Sequence, residues 1–201
     1  MRCGLIVIGA VVAAVAVIGC TVGAPPGSAG LPLGTPAPAH AETRQGQFRL
    51  TFDLPQTDWR TTDAISGRAV LSLESSGGAS GAGPGEGSGE FDVGGSGEGL
   101  IGFEFEEVGG RHRLVEPATT ADCHGYQLAV DRPIASEITK SGGYSATDPN
   151  AAFYASFLAD PEVHLPAGDW KITAIASFVE GEHCDGASRR LAATILVDVT
   201  G

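Results

Sequence analysis

From Gln47 onward, apolar and polar residues alternate. Phe48, Leu50, Phe52 and Leu54 are separated by Arg49, Thr51 and Asp53, the period of a strand with one buried and one wet face. Pro55 ends this run and Trp59 falls in the turn that follows. A second strand is predicted over 67–73, where Ala69, Leu71 and Leu73 alternate with Arg68 and Ser72. The alternation resumes over 100–106, with Ile101, Phe103 and Phe105 apolar and Glu104 and Glu106 outward. Gly109-Gly110 then turns the chain into 111–115, the clearest hairpin in the sequence. Further strands are predicted over 126–130 and, more weakly, over 134–139. The strongest signal comes last. Trp170, Ile172, Ala174, Ala176 and Phe178 alternate with Lys171, Thr173, Ile175 and Ser177, and 191–199 closes the chain.

Two segments break this pattern. In 148–159, Phe153 and Phe157 stand four apart among alanines, Asp148-Pro149 supplies a cap and first turn, and Pro161 stops the run. This predicts one short helix closing an end or edge of the sheets. Residues 75–99 are rich in glycine and read as a long insertion between strands, with Phe91 and Val93 as a short strand inside it. The insertion lacks the Lys-Ser/Thr that follows a phosphate-binding loop, so it gives no nucleotide site. Seven to nine strands and one helix predict an all-β, two-layer β-sandwich, with a closed barrel as the alternative. The segment 165–172 and the terminal strand resemble the closing hairpin of bacterial immunoglobulin-like domains, which implies an immunoglobulin-like sandwich. The Cys-Trp-Cys spacing of antibody domains is absent, because Trp170 precedes Cys184 by fourteen residues.

The first twenty residues are of another kind. Arg2 is followed by an uncharged apolar run over 5–18, too short at about 1.5 Å per residue to span a hydrocarbon core of about 30 Å. The run ends in Val17-Ile18-Gly19-Cys20. That tetrapeptide resembles the lipobox of bacterial lipoprotein precursors: an aliphatic pair, a small residue, then cysteine. The resemblance implies diacylglycerol on the Cys20 thiol, cleavage after Gly19, and a mature protein anchored to the cell envelope on the extracytoplasmic face. The expected organisation is a signal peptide over 1–19, a lipidated Cys20 with a Pro/Gly-rich tether over 20–45, and a folded domain over 46–201 carrying the insertion at 75–99. The tether reading rests on Pro25, Pro26, Pro32, Pro36 and Pro38, which deny helix and strand hydrogen bonding.

Charge narrows the partners. The formal net charge is −12, and removing the first twenty residues, whose only charge is Arg2, takes it to −13. Such a surface repels phosphate backbones, so nucleic acid is not expected as a partner. The expected partners are the membrane, through the lipid, and an envelope protein or glycan of unspecified identity.

Candidate chemistry centres on two cysteines. With Cys20 acylated, Cys123 and Cys184 remain as a pair, and export places them in oxidising surroundings, so a disulfide is expected. Asp122-Cys123-His124 and His183-Cys184-Asp185 are mirror-like triplets. Their alternative reading is a zinc or copper site built from Cys123, Cys184, His124 and His183, or from the histidines with Asp122 and Asp185. No cofactor is otherwise expected. A hydrolase with dispersed catalytic residues is a further alternative, although no nucleophile elbow and no His-Glu-x-x-His helix is present. Glu104, Glu106 and Glu107 are candidate paired carboxylates, although Glu104 and Glu106 more simply form the solvated face of a strand. Trp59, His124 and His183 are candidates for an exposed contact patch, with a buried Trp59 as the equal alternative. The expected function is a non-catalytic binding or structural module.

Overall fold

The structure, a computed structural model, describes residues 37–74, 90–111, 113–181 and 183–201. The leader, Cys20, the first part of the tether and 75–89 of the glycine-rich insertion lie outside the described residues. In chain order the elements are β1 (Ala39–Gln45), β2 (Phe48–Leu54), β3 (Asp58–Arg60), β4 (Arg68–Leu73), β5 (Glu90–Gly95), β6 (Ile101–Glu107), β7 (Leu114–Val115), β8 (His124–Ala129), β9 (Ile134–Glu137), α1 (Ala151–Ala159), β10 (Gly168–Glu180) and β11 (Ser188–Thr200). They form two sheets. The four-stranded sheet runs β1-β2-β4-β9; the seven-stranded sheet runs β3-β11-β10-β5-β8, with β6 also beside β10 and β7 beside β6. The described residues are mostly β, with two sheets and one short helix, as in a generic two-layer sandwich.

Alternation dictates the layers. Phe48, Leu50, Phe52 and Leu54 are buried along β2, and Trp170, Ile172, Ala174, Ala176 and Phe178 along β10. The two inner faces meet through aromatic contacts: Phe48 to Phe178 at 4.8 Å between ring centroids, and Phe52 to Phe103 at 5.8 Å. Each such side chain contributes roughly 1.5–3 kcal/mol on burial, so this interface is the main stabilising term. The β10–β11 hairpin runs in unbroken register from Gly168 opposite Val199 to Val179 opposite Ser188.

Several expectations need correction. The sandwich begins at Ala39, inside the stretch read as tether, because β1 pairs along its whole length with β2. Its partly buried positions are Ala39, Ala41 and Thr43, small residues that give almost no hydrophobic signal. Trp59 is not in an open turn: it lies on β3, parallel to β11 and opposite Val199, and is buried with its indole N–H donating to the Gln56 carbonyl at 3.2 Å. The short strand expected at Phe91 and Val93 is present but longer, since Glu90–Gly95 forms β5 between β8 and β10 and takes up part of the glycine-rich insertion. The helix begins at Ala151 rather than at Pro149. Asp148 is not its cap; its carboxylate accepts from the Asn150 N–H at 2.7 Å and its carbonyl from the Ala151 N–H at 3.0 Å, closing a turn ahead of the helix.

The outer face of the larger sheet is partly covered. Ile175 and Thr173 point away from the sandwich interior yet are buried. Pro117 lies against β6 at Gly102, where an added Cβ would sit 2.5 Å from Pro117 Cβ. Gly102→Ala is therefore expected to displace the 116–119 segment at a cost of about 1–3 kcal/mol, read as a lowered urea midpoint. An unchanged midpoint would show that this segment gives way freely.

Candidate functional site

Cys123 and Cys184 are joined in a disulfide across 61 positions of sequence. Cys123 immediately precedes β8, and Cys184 sits in the β10–β11 turn with a left-handed backbone, φ 56°. The bond packs onto β5 at Gly94, where a Cβ would lie 2.2 Å from Cys184 Sγ and 2.9 Å from Cys123 Sγ. Both sulfurs are committed to each other, which overturns a site with two thiolate ligands. The remaining members of the triplets diverge. His124 begins β8 and sets its ring edge-on to Tyr126 at 5.0 Å, while His183 is exposed in the turn. Asp122 turns to the 96–98 loop. Its carboxyl is held below the usual range, chiefly by the Thr120 hydroxyl and then by the Gly97 N–H, which donates to it at 3.4 Å. Asp185 is exposed and lies by Gly181. Among the described residues no three His, Cys, Asp or Glu side chains converge on a point where a metal ion would sit.

The loop that Asp122 meets is well tied. Ser96 Oγ lies 2.8 Å from Thr120 Oγ1 and accepts from the Thr120 N–H at 2.9 Å and the Glu98 N–H at 3.2 Å. The Tyr126 hydroxyl donates to the Ser96 carbonyl at 2.7 Å. This knot forms one end of a 560 Å³ cleft on the outer face of the larger sheet, lined in part by Glu104, Glu116, Pro117, Lys140, Ile175 and Arg190. In this cleft burial raises the pKa of Glu104, against the opposing charge of Arg190.

The three glutamates of β6 do not work as a pair. Glu106 is on the outer face and holds Lys171 Nζ at 3.0 Å. Glu107 is opposite Trp170 and buried. Its carboxylate takes a two-pronged bond from Arg113, Nε to Oε2 and Nη2 to Oε1, each 2.8 Å. The Arg113 guanidinium in turn lies 4.6 Å from the Phe153 ring centre and 5.1 Å from that of Trp170. The β7 strand of the predicted hairpin is only two residues long, beginning immediately after Arg113.

One constellation escaped the sequence reading. His164 follows α1 and lines a 250 Å³ cavity with Ser156, Asp160 and Phe157. Its Nδ1 meets Asp160 at 2.8 Å, but its Nε2 faces Glu162 at 3.7 Å rather than a serine hydroxyl. The imidazole is thus set between carboxylates, and the proton relay of a Ser-His-Asp triad is not formed. The only advance signal was the four-residue spacing of Asp160 and His164. Beside it, Lys140 crosses the Phe157 ring at 4.6 Å and donates to the Glu162 carbonyl. Burial lowers its ammonium pKa.

No protein-family model matches this chain, and no curated protein matches it.

Proposed function

We propose that the chain is an exported bacterial lipoprotein whose immunoglobulin-like sandwich serves, at the extracytoplasmic face of the envelope, as a non-catalytic binding or structural module. The observation that carries this reading is Val17-Ile18-Gly19-Cys20 at the end of a short uncharged apolar run behind Arg2. The Cys123–Cys184 bond supports it, because disulfides persist in oxidising compartments and this one leaves Cys20 without a claim on either partner. The long β10–β11 hairpin supports the immunoglobulin-like assignment. No helix among the described residues is long and apolar enough to cross a membrane.

The lipid on Cys20 holds the protein at the bilayer by burying acyl methylenes at about 0.8 kcal/mol each. Cys20→Ser is therefore expected to move the protein from the membrane fraction to the soluble fraction while leaving its urea midpoint unchanged. Intact mass of the extracted wild type should show loss of 1–19, a diacylglycerol adduct and one disulfide. Tight membrane retention of Cys20→Ser, or an uncleaved leader with no adduct, would overturn the reading.

A further inference from the structure

At the end of the larger sheet, Asp169 on β10 stands directly opposite Asp198 on β11, and Asp198 directly opposite Asp58 on β3. All three are exposed, and none forms an ion pair with a Lys, Arg or His among the described residues. Like charges on directly opposed strand positions destabilise a sheet. On the same face, two residues before Asp198, Leu196 is 62% exposed, the most exposed large apolar side chain among the described residues. Val108 is 42% exposed, and its N–H donates to the Asp169 carbonyl at 2.8 Å. Thr57, Asp58, Val108, Asp169, Leu196 and Asp198 together line a shallow 400 Å³ groove. Lys171, directly opposite Leu196, is taken up by Glu106 at 3.0 Å, so an apolar centre is left uncovered on a sheet face where the charge without a partner is negative.

We propose that this face docks an extended, cationic segment of a partner protein. The Leu196 and Asp198 side chains follow the two-residue spacing of a strand, so a peptide lying along β11 matches them with an apolar residue and a Lys or Arg two positions apart. Charge complementarity selects this occupant. A second copy of the chain would set aspartates against aspartates, and an anionic lipid or nucleic acid would be repelled. The proposal deepens the binding-module reading by naming the chemistry of its partner, and it does not depend on the lipid anchor.

The test uses the full chain and a fluorescein-labelled Lys-Thr-Leu-Thr-Lys peptide, followed by anisotropy. Wild type and Cys20→Ser should bind it alike, so failure of the anchor and failure of the groove are distinguishable. Asp58→Asn/Asp169→Asn/Asp198→Asn should weaken binding about tenfold or more, and Leu196→Ser severalfold. The control Glu98→Gln/Asp131→Asn/Glu137→Gln, which removes the same charge elsewhere, should bind as wild type. The aspartate variant should also melt a few degrees higher, because it relieves the repulsion. Absence of binding, equal weakening by both triple variants, or a melting temperature that does not rise would overturn the proposal. Self-association of the wild type that the aspartate variant abolishes would assign the face to a second copy and overturn it as well.

Discussion

Arg113→Met is expected to lower stability by about 3–5 kcal/mol at pH 7, the loss typical of a buried ion pair stripped of one partner. The pair is well enclosed: the side chains of Arg113 and Glu107 are 10% and 9% exposed. Without the guanidinium, Glu107 keeps backbone donors alone, the Arg111 N–H at 3.2 Å and the N–H of residue 113, against the cost of burying its charge. Arg113→Lys should recover part of the loss, since an ammonium restores charge but neither the paired bonds nor the flat contact with Phe153 and Trp170. Glu107→Leu/Arg113→Met should lie much nearer wild type than either single change, because it removes both charges together. A double variant as unstable as Arg113→Met would show that packing against the aromatic rings, not charge pairing, dominates. Urea midpoints of the four proteins decide this.

The same pair sets a pH dependence of known sign. Arg113 hydrogen bonding, opposed by desolvation, holds the Glu107 carboxyl below the usual carboxylate range. A depressed folded-state pKa contributes stability that is fully present above the unfolded value, about 4.3, and is lost as pH falls through the folded value. The gap between wild type and Glu107→Leu/Arg113→Met, which lacks the carboxylate, should accordingly shift against wild type progressively below about pH 4, as the contribution of the pair present at neutral pH is lost. What this pair stabilises is the seat of α1. Leu114 donates its N–H to the Tyr154 hydroxyl at 3.3 Å, and Phe157 meets Phe105 edge-on at 5.4 Å, so helix, β7 and β6 close together around Arg113.

The long strands were legible because their two faces differ in kind. Along β2, β6, β10 and β11, large apolar residues recur every second position, and no other regular structure buries that pattern. Strands whose burial comes from elsewhere were not legible. The inner face of β1 is alanine and threonine, and β3 is three residues whose only strong feature, Trp59, is equally at home in a turn. The inward turn of Glu107 was hidden for a different reason: a carboxylate at the end of a strand reads as solvent-facing unless its partner, six residues away across a loop, is known to turn inward as well. For the cysteine triplets, adjacency in sequence suggested convergence, but β8 and the β10–β11 turn direct Asp122, His124 and His183 to separate surroundings. Glycine was the most ambiguous letter. In 75–99 it reads as slack, yet at Gly94 it marks close approach of other atoms to the backbone.

Gly94→Ala is accordingly expected to be among the most damaging single changes in the domain. Its Cβ would fall 2.2 Å from Cys184 Sγ, 2.9 Å from Cys123 Sγ and 3.2 Å from the Cys184 backbone nitrogen, all well inside ordinary contact. Neither sulfur has freedom to retreat while bonded to the other, so β5 must shift or the bond must fail to close. Failure forfeits the constraint on a loop of 61 residues, about 4 kcal/mol in the chain-entropy account. The alternative, displacing β5 between β8 and β10, disturbs the Val179–Gly94 and Gly94–Gly125 pairings on both its sides. Alanine is otherwise well tolerated in a strand, so the penalty belongs to the sulfurs rather than to the backbone. In a Cys123→Ala/Cys184→Ala background, already weakened by about 4 kcal/mol, Gly94→Ala should then cost about 1 kcal/mol or less. The four urea midpoints form a double-mutant cycle with a large coupling term. Strict additivity would mean that Gly94 is needed for some reason other than the disulfide lying on it.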